Sequence, residues 1–270
     1  MKNALPASVM SLFLFLTVLA ACHNDPLEPE YGTVQLKFAN VVGAQDLKLD
    51  STSYTNGSGE PFTVTKLNYF ISNIKLKKAD GSAYVVPQDS SYFLVSQSNP
   101  ASQLITLRNV PVDDYTGIDF VVGVDSLRNT MEIGKRTGAL DPGGAAAGMY
   151  WDWNSGYIFL KLEGTSAKAP ADATGKHNFM YHIGLFGGYK KESKTINNLR
   201  TIQLAFGTGP AHVIVNGTTG VQIKANVLKI FDGVKRLSIA AHPDIMVSDS
   251  SEIVANNYAK MFSVGTVQVD

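Results

Sequence analysis

One cysteine stands in 270 residues, at position 22. A single thiol forms no internal disulfide and no thiolate cage. A cystine-stapled fold and a multi-cysteine zinc site are therefore both excluded. Neither sign of charge is in excess: 23 basic side chains balance 23 acidic ones. No basic field awaits a phosphate backbone, and no Lys/Arg cluster is interleaved with aromatics, which argues against nucleic acid as a partner. The chain also lacks G-x-S-x-G, a P-loop, H-E-x-x-H and a dinucleotide fingerprint on a βαβ unit, so no enzymatic activity is expected. Asp113, Asp114 and Asp125 are isolated carboxylates that read as turn or loop residues. Helical periodicity is scarce, and no repeat of about 20–50 residues recurs.

The one long apolar run, residues 9–19, follows Lys2 and is too short to span a bilayer. It ends in Leu19-Ala20-Ala21-Cys22, which resembles a bacterial lipobox. Residues 1–21 then read as a signal peptide and Cys22 as the lipidated first residue of the mature protein. Residues 22–31 carry Asp25-Pro26 and Glu28-Pro29 and read as an extended tether. His23 rather than aspartate after the cysteine favours the outer membrane, with a periplasmic or surface-facing domain. With Cys22 lipidated, any metal must use histidine, methionine, carboxylate, carbonyl or a modified side chain.

Residues 33–39 alternate cleanly, with Val34, Leu36 and Phe38 on one face. Residues 62–77 form a long strand region in which Leu67, Tyr69 and Ile71 share one phase and Ile74 and Leu76 the other. That slip predicts a bulge near Ser72-Asn73. Shorter strands follow at 92–95, 104–110, 118–124, 157–162, 179–185, 202–206 and 221–227, with residues 213–215 closing a hairpin on 202–206. A turn of helix is expected within 226–231 and a longer helix over 250–262, capped by Ser250 or Ser251. Many short, turn-punctuated strands predict an all-β fold, a β-sandwich of Greek-key-like kind over residues 32–270 with a short C-terminal helix.

The chemistry concentrates in residues 148–164. Both tryptophans, Trp151 and Trp153, lie here two residues apart. In an extended segment they share one wall, with Tyr150 and Tyr157 nearby. Such aromatics are either a binding platform or the large residues of a sandwich core. Among the five histidines, His182 shares a strand face with Met180, and imidazole plus thioether suits a soft ion such as Cu(I). His242 precedes Pro243 in a loop, where ligands are commonly placed.

Several blocks together resemble the MbnP-like copper-binding proteins over residues 33–263. They are Leu67-Asn68-Tyr69-Phe70-Ile71-Ser72-Asn73-Ile74, then Phe120 through Asp125, Gly148-Met149-Tyr150-Trp151-Asp152-Trp153 through Gly164, Phe179 through Gly184, and Asn256-Asn257-Tyr258 through Phe262. The resemblance implies a secreted or lipid-anchored β-rich protein linked to copper handling. It further implies that a tryptophan, here Trp151 or Trp153, is oxidised to kynurenine by a di-haem peroxidase of the MauG type and assists histidines in binding copper. An indole nitrogen has no lone pair to give, whereas kynurenine offers an aniline nitrogen and a carbonyl. His182 matches the histidine block; His242 is the second candidate ligand, with His177 behind it. The competing reading is a surface adhesion or glycan-binding module, with Trp151, Trp153, Tyr150 and Tyr157 stacking on sugar rings. Clustering of His182 with the tryptophans favours copper; an exposed aromatic strip favours glycan.

Overall fold

A computed structural model describes residues 29–153, 156–188, 196–207 and 209–269. The expected signal peptide, Cys22, His23 and most of the tether lie outside the described residues, as do Asn154 and Ser155. The chain opens with β1 (Tyr31–Val42), β2 (Gln45–Asp46) and β3 (Tyr54–Thr55), then the long β4 (Pro61–Lys78). Next come β5 (Ala83–Val85), β6 (Tyr92–Ser96), β7 (Leu104–Pro111) and β8 (Asp113–Val122). A long excursion holding α1 (Ser126–Asn129) and β9 (Tyr150–Trp151) leads to β10 (Gly156–Thr165) and β11 (Asn178–Gly184). After these run β12 (Arg200–Ala205), β13 (Ala211–Val213), β14 (Thr218–Asn226), α2 (Leu228–Phe231), β15 (Asp244–Ile245), α3 (Asp249–Tyr258) and β16 (Phe262–Val269).

The smaller sheet runs β16-β14-β1-β2, with β7 also on β1. The larger runs β12-β8-β4-β10-β11-β15, with short strands added along it. β1 and β14 pair in parallel, Leu36 beside Val221 and Phe38 beside Ile223. The main core lies between the sheets. Phe38 meets Tyr69, Phe120 and Phe262 edge-on, with ring centroids 6.2, 5.8 and 6.4 Å apart. Two sheets closed over one aromatic-rich layer make the expected all-β sandwich.

The phase slip in β4 is a bulge: its register against β8 jumps between Ser72 and Lys75, and Asn73 adopts φ 52°. The jump lets Leu67, Ile71, Ile74 and Leu76 all reach the main core, while Phe70 points the other way. Two expectations are corrected. The helix expected over 250–262 ends at Tyr258, and Phe262 opens a final strand beside β14. Of the helical stripe Ile253, Val254, Tyr258 and Met261, the last three face the core and Ile253 does not, and the helix starts after Ser248, with Ser250 and Ser251 inside it. Past Tyr258, however, the free edge of β14 supplies ladder partners that a longer helix would leave unmade. Residues 202–206 and 213–215 do not form a hairpin. β12 and β13 both pair with β8, Ala205 beside Gly117 and Ala211 beside Tyr115, as one interrupted edge strand.

Candidate functional site

The larger sheet has an outer face, and the excursion between β8 and β10 folds back over part of it. Asp125 starts this excursion. It caps α1 by accepting from the Arg128 N–H, and its Oδ2 accepts from the Tyr92 hydroxyl at 2.6 Å and Asn73 Nδ2 at 2.8 Å. Burial pushes this carboxyl up, but the hydrogen bonds hold it below the usual aspartate value. Asp125 is thus a structural cap, more than the plain loop residue its isolation suggested. Arg136, 6% exposed, lies against the rings of Tyr150 and Tyr157, 4.8 and 5.2 Å from their centroids, and the two rings meet each other edge-on at 5.3 Å. Its guanidinium donates to the carbonyls of Met131 and Asn129. A second apolar cluster forms around this cation–π contact, from Phe70, Val124, Leu140, Met149, Trp151, Tyr157 and Phe159 among others.

The tryptophans part company here. β9 ends at Trp151 and residues 152–153 turn, so the alternation of a strand no longer applies to Trp153. Trp151 is 5% exposed and Trp153 66%, with their rings in contact at 5.4 Å. The four aromatics therefore do not share one exposed wall: Tyr157 is buried and Tyr150 covers Arg136. The outer ring of Trp151 rests on Gly184, where an added Cβ would lie 2.6 Å from Cζ3. Immediately beyond, Leu185 has φ 76°, a rare conformation for so bulky a side chain. The Asn198 backbone N–H donates to the Leu185 carbonyl at 2.8 Å, and Asn198 Nδ2 to that of Gly184 at 2.7 Å, holding the bend.

Along β11, Phe179, Tyr181 and Ile183 enter the main core, leaving Met180, His182 and Gly184 on the outer face. His182 is thus two residues, about 7 Å, along the strand from the glycine that carries Trp151. Its Nε2 lies 2.8 Å from Glu163 Oε1 on β10. Lys66 and Lys161 approach the same carboxylate at 3.6 and 3.5 Å, and Lys161 Nζ also donates to the Gly148 carbonyl at 2.8 Å. That last bond joins the charged patch to the excursion. Burial pushes His182 below the usual imidazole range, despite the hydrogen bond to Glu163. Burial alone would raise Glu163, but His182 and the two lysines hold it below its ordinary value.

Gly184 under Trp151, His182 and Met180 therefore follow one another at two-residue steps along one strand face, a seam that Trp153 joins through its ring contact with Trp151. His242 does not join them. β15 runs parallel to β11, with Asp244 beside Met180, and the Pro243 carbonyl accepts from the Met180 N–H. Stepping back from Asp244 to His242 moves away from His182. His177 is exposed before β11 begins, its Nδ1 2.5 Å from the Ala169 carbonyl. His212 pairs with Asp114 on a different strand. Among the described residues, no three or more of His, Cys, Asp and Glu group to hold a metal.

Reading the sequence missed Glu163, Lys161 and Met246. The first two were legible as outward positions of one strand, alternating with Leu160 and Leu162. Met246 follows Ile245, which enters the main core, and it packs instead against the second cluster.

Comparison with curated proteins returns no relative. Among solved structures, MbnP from Methylosinus trichosporium is similar, with TM-score 0.54 and 16% identity, covering 87% of this chain and 99% of that one. At that identity the likeness establishes a common fold. The family model described as MbnP matches residues 31–247, most of the described sandwich, and the chain belongs to the MbnP family.

Proposed function

We propose that this protein is a non-enzymatic copper-binding lipoprotein of the cell envelope. In this reading Cys22 is lipidated and anchors it to the outer membrane, periplasmic or surface-facing. A di-haem peroxidase of the MauG type is its partner and oxidises Trp151 or Trp153 to kynurenine. The observation that carries the reading is that His182 and Met180 share the outer face of β11 with Gly184, on which Trp151 rests with Trp153 against it. The donor chemistry fits a soft ion: an imidazole, a thioether on the same face and, after oxidation, an aniline nitrogen. His182 would hold copper; the modified tryptophan would supply the donor that an indole lacks. The glycan reading loses ground, because Tyr157 is buried and Tyr150 is engaged with Arg136, leaving Trp153 alone as an exposed platform.

The test is intact mass and metal analysis of protein from its native host. Kynurenine formation removes one carbon from an indole and adds one oxygen, and the mass reports it. Copper bound by modified wild type and lost in His182→Ala is the expected result. Equal copper in both, in protein whose mass shows the oxidation, would sink the assignment. Cys22→Ser should release the protein from membranes; persistent detergent-dependent partitioning would refute the anchor.

A further inference from the structure

Two features of the seam extend the copper reading and rest on it. The first is the orientation of His182. Its Nε2 faces a carboxylate oxygen of Glu163 at 2.8 Å, and two ammonium groups lie beside that carboxylate. A carboxylate accepts hydrogen bonds and does not donate them, so the proton between the pair sits on Nε2. In a neutral imidazole the lone pair is then on Nδ1. A carboxylate fixing one ring nitrogen while the other is left for a metal is the usual support of a metal-binding histidine.

The second feature is Met246. β15 pairs in parallel with β11, Asp244 beside Met180 and Ile245 beside Tyr181. Ile245 and Tyr181 both point into the main core. Met246 comes next, one residue past the end of β15, and does not follow Ile245 into the main core. Met246 packs against the cluster that contains Trp151. The chain thus brings a thioether to the cluster that holds Trp151, one residue beyond the partner of Tyr181, whereas residue 242 is carried away from His182.

We propose that the Met246 thioether joins His182 Nδ1 as a donor of a Cu(I) site beside Trp151, with Glu163 the positioning residue that presents Nδ1. Imidazole and thioether favour monovalent over divalent copper. Lys66 and Lys161 already flank Glu163, so the carboxylate is committed to orienting the ring and is not a ligand.

The test uses the full chain from its native host, its mass showing the oxidation, purified in detergent, with Ag(I) as a redox-inert probe and Cu(I) measured by chelator competition. Long-range proton–nitrogen spectra of the metal-free protein should show His182 protonated at Nε2. Ag(I) should shift His182 Nδ1 and the Met246 methyl together. Met246→Leu, which keeps the bulk, should weaken Cu(I) at least about tenfold, with tryptophan emission unchanged. Glu163→Ala should weaken it about tenfold to a hundredfold. Glu163→Gln, whose amide oxygen still accepts from Nε2, should restore most of that loss; a merely structural carboxylate would not show this rescue. If Met246→Leu binds Cu(I) like wild type while His182→Ala loses it, the methionine assignment falls and the copper reading stands. A metal-free His182 protonated at Nδ1 overturns the role given to Glu163. If neither Ag(I), Cu(I) nor Cu(II) binds, the copper reading falls and takes this inference with it.

Discussion

The two faces of the larger sheet are built on different terms. The inner face is apolar apart from tyrosine hydroxyls such as that of Tyr69, which donates to Asn40, and it meets the smaller sheet through interlocking rings: Phe38, Phe120 and Phe262 lie within 5.1 to 6.4 Å of one another. The outer face is divided. One part carries the second apolar cluster, closed over Arg136; the other carries Glu163, Lys66, Lys161 and His182. Dispersion and area burial dominate inside, and deletion there costs in proportion to lost volume. Outside, the same strands position polar groups, and substitution there should change chemistry before it changes stability.

The sharpest break of this contrast is Phe38→Ala. Removing a fully buried ring at the centre of the aromatic layer should cost about 3–5 kcal/mol. For a domain of this size that is a fall of roughly 10 °C in Tm, read by calorimetry. The outer seam should keep its geometry in the molecules that remain folded. A loss under about 1 kcal/mol would mean that the layer repacks and the two faces are less distinct than described.

Gly184→Ala acts at the other face. A Cβ there would meet Trp151 Cζ3 at 2.6 Å and the Tyr157 carbonyl oxygen at 2.5 Å. The carbonyl belongs to backbone, so the indole and the strand must both shift, at a cost of about 2–3 kcal/mol. Tryptophan emission should move to longer wavelength as Trp151 is lifted from its seat. Unchanged emission and stability would show that Trp151 does not rest on this glycine.

Glu60 tests how firmly the edge beside His182 is held. Its carboxylate accepts from Asn56 Nδ2, Ser238 Oγ and the Ile239 N–H, each at 2.7 Å, and from the Ala240 N–H at 3.0 Å. It therefore clamps the turn that delivers β15 and Met246. Burial alone would raise its pKa; the four hydrogen bonds together hold it below the ordinary 4.5. A depressed folded value means the stabilisation is complete above the unfolded value and is lost as pH falls through the folded one. Glu60→Gln should cost about 1.5–2 kcal/mol near neutral pH, since an amide turns donors toward donors. The gap between wild type and variant should narrow below pH 4.5. A gap that stays constant into the acid range would show that the charge of Glu60 does not matter.

The inner face was the legible one. Alternation in residues 118–124 and 179–185 marks its strands, as 33–39 marks β1 of the facing sheet, because one side of each is dry and period two survives burial. Even the β4 bulge was readable, as a phase slip. The outer face was harder for a physical reason. Its contacts join residues far apart in sequence, Gly184 to Trp151 and His182 to Glu163, and no local pattern encodes them. Trp151 and Trp153 misled because i and i+2 share a face only while the strand continues, and this one ends at Trp151. His242 misled because its loop was readable but the parallel docking of β15 was not. The choice between a helix and a strand at Phe262 turned on the vacant edge of β14, which is likewise a tertiary fact.

The smallest expected effect lies between the two indoles. Trp153→Phe removes a side chain that is 66% exposed, and its stability should stay within about 0.5 kcal/mol of wild type. Trp151→Phe opens a gap over Gly184 in the second cluster and should cost more, about 1–2 kcal/mol. Fluorescence separates the pair without reference to stability. With Trp153 replaced, the remaining emitter is the buried Trp151 and the spectrum should be blue-shifted; with Trp151 replaced, the emitter is exposed and the spectrum should be red-shifted. Acrylamide should quench the second variant far more strongly than the first. Equal quenching would mean that the indoles are equally open to solvent. The division of the outer face into a closed cluster with one tryptophan inside and one on its rim would then be wrong at the residue that defines it.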